Sequence, residues 1–376
     1  MEYYISELAN KSGESKTAGV KARDDLEYIW NHMGHSPIFL KPQEFNRAQA
    51  GLLEKYRLHR HIAGVWKRGL MGLAKGDTLY IQLPTENHSI YLSGVMTELK
   101  NRGVRLIGFI HDLECLRLSG LDRISFKERA RINFEELSLM RRFTYLVVHN
   151  NKMKRALAGK GIDEGRLIPL KVFDYMLGDG SFAEIEAIVR RREKEFVADR
   201  AVVIAGNLSP EKAGYLKKLP LGCDFHLYGV NCCPLNDYGK NVCYMGSHPP
   251  EELPFNMKGQ FGLVWDGDSV ETCSGVYGRY LEINNPHKLS LYLVSGLPVI
   301  IWRKSAMADF VVKKGLGVAV DSLREIRSRI RDMSENEYKR LCRNVVFQGG
   351  LLSRAHYTKR AINICEETGM GDESIS

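Results

Sequence analysis

The sequence predicts an α/β protein of two domains, each a parallel sheet with helices on both faces. Three observations carry this. Short apolar runs alternate with helical patterns along the chain, the signature of strand–helix–strand crossovers. A length of 376 residues suits two domains, each large enough for its own core. A charged helical segment over 176–197 interrupts the series, and a fresh apolar strand, RAVVIAG, begins just after it. The boundary is therefore set at 196/197, giving domains over 1–196 and 197–346 and a C-terminal helical segment over 347–376.

Taken in order, strands are expected near 2–5, 37–40, 78–83, 104–110 and 145–149 in the first half. In the second half they fall near 201–205, 224–228, 242–245, 261–265, 298–302 and 317–320. After Asp321 only helical patterns remain, with Tyr338 to Val346 the clearest. No internal repeat or low-complexity stretch interrupts them. Two such halves would place a ligand cleft between the carboxyl edges of their sheets. The polar motifs IHDLE, AGN and WDGD all stand at strand ends.

Composition narrows the class. Hydrophobic residues make up 44% and charged residues 26%, ordinary for a folded soluble chain. The start, MEYYISELANKSGESK, has neither the basic lead nor the apolar core of a signal peptide. Leu291 to Trp302 is the longest apolar stretch, and Ser295, Gly296 and Pro298 break it far short of a membrane span. A cytoplasmic protein is expected. Eight cysteines lack any CxxC spacing, so reduced thiols are expected in place of zinc ligands. The net charge of +9 suits nucleic acid, an anionic membrane face or a phosphate-bearing substrate. No zinc module, RNP motif or aromatic-interleaved basic stripe supports nucleic acid.

Residues 261–302 carry the most chemistry. A buried-strand pattern, Phe261 to Trp265, runs into the acidic turn Asp266-Gly267-Asp268. Asn285-Pro286 then reads as a helix start, with Asn285 as N-cap and Pro286 in the first turn. His287 and Lys288 follow, so an ammonium joins the N–H groups at the positive end of the helix dipole. That pattern suits a diphosphate, although an ordinary capped surface helix would look the same. Asp266 and Asp268 can hold a divalent metal, accept sugar hydroxyls, or form a solvated turn. Gly206-Asn207 closes the strand AVVIA as a sharp polar turn, with Lys212 five residues on. It is no Walker loop, since GxxxxGK is absent. Tyr228, ending DFHLY, suits either a wall for a base ring or the core.

In the first half, His111-Asp112 ends the strand VRLIGFI. Asp112 is the first choice for a general base, with His111 as its orienter and Glu114 as the alternative. Asp112 capping the next turn is the competing structural role. The loop from Asn10 to Thr17 contains no GxGxxG, which counts against a dinucleotide-binding dehydrogenase. Residues 52–73 combine an apolar stripe at 52, 56, 63, 66 and 70 with a basic face, which suits a membrane interface or a core-facing helix.

The motifs WDGDSVETCSG and YLEINNPHKLSLYL resemble the C-terminal half of bacterial O-antigen β-1,6-galactofuranosyltransferases. More distantly the chain is similar to the glucosyltransferases that extend glycans of serine-rich streptococcal adhesins. The likeness continues in TAGVKARDD, IHDLE, VVHNNKM, KVFDY, AGNLSPEK and GCDFHLYGVN, from residue 17 to about residue 310. The resemblance implies the GT-B fold, two Rossmann-like domains facing each other across a cleft, with the last helix crossing back to the first domain. It also implies a UDP-sugar as co-substrate, no resident cofactor and no metal. Thr17, Gly206, Asn207, Lys212, Tyr228, Asp266, Asp268, Asn285, His287 and Lys288 are then the donor contacts.

The expected activity is inverting transfer of a hexose, galactofuranose from UDP-galactofuranose, to a hydroxyl of a growing cell-surface glycan. The acceptor implied is undecaprenyl-diphosphate-linked, with peripheral contact at the inner membrane face and homo-oligomerisation compatible with the family. The alternatives are a UDP-glucose-dependent enzyme acting on GlcNAc-modified adhesin, and a non-catalytic sugar-binding partner of another transferase.

Overall fold

The computed structural model describes residues 1–7, 18–41, 51–118, 125–178, 180–194 and 201–373. The chain forms two compact units. The first takes residues 26–170, the N-terminal strand and the chain from Arg360 onward; the second takes residues 171–359 and the start of the helix Ala18–His32.

The first unit holds six parallel strands: β1 (Glu2–Glu7), β2 (Ser36–Leu40), β3 (Thr78–Leu83), β4 (Arg105–Ile110), β5 (Tyr145–Val148) and β6 (Leu167–Pro169), in the order β2-β1-β3-β4-β5-β6. Every residue of β3 is buried, as expected of a strand covered on both faces. Trp30 packs between the sheet's Tyr80 and Phe109, with ring centroids 5.7 and 5.3 Å away. Strand β6 has no counterpart among the strands expected from sequence. It is three residues long and ends in Pro169, too short to show an apolar run.

The second unit holds β7 (Val202–Asn207), β8 (Phe225–Val230), β9 (Val242–Tyr244), β10 (Phe261–Val264), β11 (Val299–Trp302) and β12 (Gly317–Val320). These are again all parallel, in the order β12-β11-β10-β7-β8-β9. The chain starts in the middle, runs outward through β8 and β9, and returns to the other side of β7 with β10. That is the doubly wound order whose switch point, between β7 and β10, opens a crevice at the carboxyl ends of the strands. Two helices stack on this part of the sheet. Helix His287–Val294 presses Tyr292 onto Gly262, where a Cβ would come within 2.2 Å of the ring, and the Tyr292 hydroxyl accepts the Ala205 N–H at 2.8 Å. Helix Glu335–Leu352 packs over it, with Gly349 against the Leu293 carbonyl.

Local signals explain where the helices begin. Ser125, Asn150 and Ser334 each accept backbone N–H groups of the turn that follows. Helix Phe182–Lys194 lies before the boundary expected from sequence, yet it packs on the second unit. Its buried Arg192 donates to the Ser295 and Met257 carbonyls, both at 2.7 Å. The last helix, His356–Glu373, is capped by Asp174, which accepts the N–H groups of Tyr357 and Thr358. Farther along, Arg105 donates to the Cys365 carbonyl.

Candidate functional site: the switch point of the second sheet

At the carboxyl end of β7 the backbone turns at Gly206, whose φ is +125°. A Cβ on the neighbouring Gly229 would lie 1.8 Å from the Gly206 carbonyl, so β7 and β8 end side by side only because Gly229 is bare. The Asn207 side-chain oxygen accepts from the Ser209 N–H and from Asn231, both at 3.0 Å. This directs the chain into the short helix Pro210–Ala213, where the Lys212 ammonium stands 5.5 Å over the Tyr277 ring.

The acidic turn after β10 is tied to that helix. Gly267 donates to the Lys212 carbonyl at 2.8 Å and accepts from the Tyr215 N–H at 3.1 Å. Gly267 has φ +119°, and a Cβ there would come 2.6 Å from Ser274 backbone and side-chain atoms. The turn sends its two carboxylates apart. Asp266 is buried and meets the Lys288 ammonium at 2.7 Å, while Lys288 also donates to the Trp265 carbonyl at 3.1 Å. Asp268 is exposed and accepts the Ser274 hydroxyl, a bond that holds its carboxyl below the usual range. Among the described residues, no group of three or more His, Cys, Asp or Glu is placed to hold a metal ion.

The helix start differs in detail from the sequence pattern. Pro286 is the N-cap and His287 the first helical residue. Asn285 lies outside the helix and donates its side-chain N–H to the Lys171 carbonyl at 3.1 Å, which anchors the loop instead of capping the turn. The helix still directs its positive end, with Lys288 in the first turn, into the crevice. His287 stacks on Phe173 at 4.3 Å. Burial, and then the Lys212 charge, lower its pKa to about 4, so the imidazole is neutral at pH 7. Lys212, His287, Lys288 and Asp266 thus come from two helices and one turn to a single place.

Tyr228 is a correction. It is 1% exposed, and its hydroxyl accepts the Lys258 N–H at 2.8 Å. It is a core residue and presents no ring face to a base. Thr17 lies outside the described residues.

In the first unit, β4 is followed by His111, whose Nε2 is 2.7 Å from the Gln82 side-chain oxygen. Asp112 accepts the Leu113 N–H at 2.9 Å and pairs with Arg117 at 2.5 Å; Arg117 also reaches Glu114 at 3.3 Å. Asp112 and Glu114 line a cavity of about 770 Å³, with walls from helix Leu52–Gly69, the loop after β3 and helix Phe126–Met140. His111 is absent from its lining. Sequence reasoning missed several polar residues there, among them Arg117, His88 and Glu135. Glu135 bonds His88 at 2.9 Å and Arg131 at 3.0 Å, and these bonds outweigh burial to hold its carboxyl low. Only the Arg131–Glu135 spacing of four was visible in the sequence.

On helix Leu52–Gly69 the buried positions are Leu58, Ile62 and Trp66, followed by Leu70; of the expected stripe, positions 66 and 70 are buried, 63 is half-buried and 56 is exposed, while the side chain at 52 lies outside the described ones. Leu53 and Tyr56 are exposed among the basic side chains. Among the described residues no helix is long and apolar enough to cross a membrane.

Comparison with known proteins agrees with this architecture. The N-terminal and C-terminal domain models of the glucosyltransferase 3-like family match residues 2–172 and 202–365. The β-1,6-galactofuranosyltransferase WbbI of Escherichia coli K12 is 35% identical over 281 residues, covering 73% of this chain and 74% of that protein. Glucosyltransferase 3 of Streptococcus gordonii is 22% identical over 364 residues, 96% and 97% of the two chains. Among solved structures, Anabaena HepE in complex with UDP and glucose superposes with a TM-score of 0.55 at 13% identity, covering 98% of this chain and 99% of that one. Sucrose-phosphate synthase of Thermosynechococcus elongatus gives 0.57 at 12%, covering 99% of each. The two six-stranded parallel sheets and these likenesses make the fold GT-B. The chain belongs to the glucosyltransferase 3-like family of GT-B glycosyltransferases, as a relative of the bacterial β-1,6-galactofuranosyltransferases.

Proposed function

We propose that this protein transfers a hexose from a UDP-sugar, namely galactofuranose from UDP-galactofuranose, to a hydroxyl of a cell-surface glycan, forming a β-linkage with inversion. The observation that carries it is the convergence of Lys212 and Lys288 on a helix start at the switch point of the second sheet. A departing UDP gains negative charge on its β-phosphate as the bond to the sugar breaks. Two ammonium groups and a helix dipole stabilise that charge without a metal. Neutral His287 adds no charge of its own and keeps the first turn packed. Asp268, exposed at the rim of the turn, is the contact for donor-sugar hydroxyls.

The cavity of the first unit is assigned to the acceptor, and Asp112 on its wall to the general base. Its Arg117 partner is partly exposed, so the pair opens at little cost to let the carboxylate take the hydroxyl proton. The acceptor proposed is a lipid-linked oligosaccharide, met at the inner face of the membrane with the exposed Leu53 and Tyr56 and basic side chains of helix Leu52–Gly69. UDP-glucose is the second donor to consider, because relatives named glucosyltransferase 3 match most of the chain.

Thermal unfolding in EDTA with UDP, UDP-glucose, UDP-galactopyranose and UDP-galactofuranose tests the donor assignment. A ligand of the native state raises stability as RT ln(1 + [L]/Kd). A shift with UDP, and a larger one with UDP-galactofuranose, is expected. No shift with any of them, with or without Mn²⁺, would leave a non-catalytic partner as the better description.

A further inference from the structure

We propose that Asp266 is the resting counter-ion of the diphosphate site, holding Lys288 ready while keeping the site's affinity for UDP low enough for the product to leave. The inference rests on the donor assignment above and concerns how that same site is regulated. Its starting point is geometric. The Asp266 carboxylate oxygen lies 2.7 Å from the Lys288 nitrogen, the distance at which an ammonium binds a phosphate oxygen. Asp266 therefore makes with Lys288 the kind of bond that a nucleoside diphosphate would make. The second bond of the ammonium, to the Trp265 carbonyl, fixes its position whether or not the first is weakened.

The surroundings amplify this carboxylate. Asp266 is buried, and its charge reaches its neighbours: burial first, and Asp266 in addition, raise the pKa of Tyr215, Tyr292 and the Cys273 thiol. A charge felt by three buried groups is also felt by a phosphate arriving at the helix start. Lys212 and Lys288 supply two positive charges there and Asp266 removes one, since His287 is neutral. Asp268 does not share this role, because it is exposed and bound to Ser274. When UDP arrives, a phosphate oxygen takes the third N–H of the Lys288 ammonium and competes with Asp266, which stays beside it; when UDP departs, the Asp266–Lys288 pair regains its full strength.

Calorimetric titration of UDP in EDTA, at a temperature where each variant is folded by circular dichroism, separates the outcomes. Asp266→Asn keeps a hydrogen-bond acceptor for Lys288 and removes the charge, so UDP should bind about tenfold tighter. In steady state the same variant should show lower kcat and lower KM, as expected when product release slows. Asp266→Glu restores the charge and should return UDP affinity toward wild type. Unchanged or weaker UDP binding by Asp266→Asn overturns the proposal. So does loss of UDP-hexose affinity with UDP affinity intact, which would make Asp266 a sugar contact. Asp266→Ser serves as the second variant; if neither it nor Asp266→Asn unfolds cooperatively, the pair is purely structural and the proposal fails. Lys288→Ala keeps the two levels apart. Unchanged UDP affinity in that variant removes the donor site itself. Weakened affinity there, without tightening in Asp266→Asn, removes only the counter-ion role.

Discussion

Each unit places an aspartate at the carboxyl end of a strand and pairs it with a cation, and the two pairs differ mainly in burial. Asp112 and Arg117, after β4, are 35% and 24% exposed at a separation of 2.5 Å. Asp266 and Lys288, after β10, are 7% and 13% exposed at 2.7 Å. Water screens the first pair, so it holds by little and Asp112 can exchange partners. The second pair is shielded, so its members depend on each other and set the field of the crevice. One carboxylate is suited to taking and releasing a proton, and the other to being a fixed charge.

The contrast is broken most directly by Asp112→Asn. Removing a general base should lower transfer by about 10²–10⁴-fold and leave UDP affinity unchanged. Turnover at the wild-type rate, measured as UDP release with a glycan acceptor, would take Asp112 out of the chemistry. Lys288→Ala should act in the opposite sense. It leaves the buried Asp266 unpaired, at a cost of about 3–5 kcal/mol in urea denaturation, and weakens UDP by roughly 10–100-fold. A variant as stable as wild type would mean that the Asp266 site is wetter than its burial implies.

The parts of this contrast were unequally legible in the sequence. The second-unit site depends on backbone geometry within a short stretch. Gly267, Asn285-Pro286 and Lys288 lie within twenty-two residues, and glycine and proline announce turns and helix starts. Even there the side-chain partners were hidden. The pattern at Asn285 predicts a helix cap, and the side chain bonds Lys171 instead; the strand end at Tyr228 suits base wall and core equally, and burial decides for the core. The first-unit cavity was largely illegible, because its polar wall comes from three elements far apart in sequence. His88 and Glu135 are 47 positions apart, and no spacing rule connects them. The strand series was readable because parallel strands buried on both faces are continuous apolar runs; β6 escaped because three residues ending in proline show no such run. On helix Leu52–Gly69 the basic residues blurred the phase of the apolar stripe, which the sheet beneath it fixes.

A pH series examines the buried side of the comparison with a neutral group. His287 has its pKa lowered to about 4, against an ordinary value near 6.5. Between these values the unfolded chain binds a proton that the folded chain refuses, so His287 contributes full stability above pH 6.5 and loses it as pH falls toward 4. The loss should be roughly 2–3 kcal/mol. Asp174 and Asp25, raised by burial to about 7 and about 6, work in the opposite direction, losing stability as pH rises through those values. The His287 contribution therefore appears as the difference between wild type and His287→Gln in urea midpoints from pH 7 to pH 4. Parallel curves for the two proteins would show that His287 is hydrated and titrates normally.

The smallest effect tests the exposed side. Arg117→Ala removes the partner of Asp112 from a pair open to solvent, so unfolding free energy should change by no more than about 1 kcal/mol. Transfer should respond differently from stability: without Arg117 the Asp112 carboxylate loses a partner that orients it on the cavity wall, so kcat should fall while UDP affinity stays unchanged. A stability loss as large as that of Lys288→Ala would show that Asp112–Arg117 holds the wall of the cavity together. The two aspartates would then be alike in kind, and exposure would no longer distinguish a proton acceptor from a fixed charge.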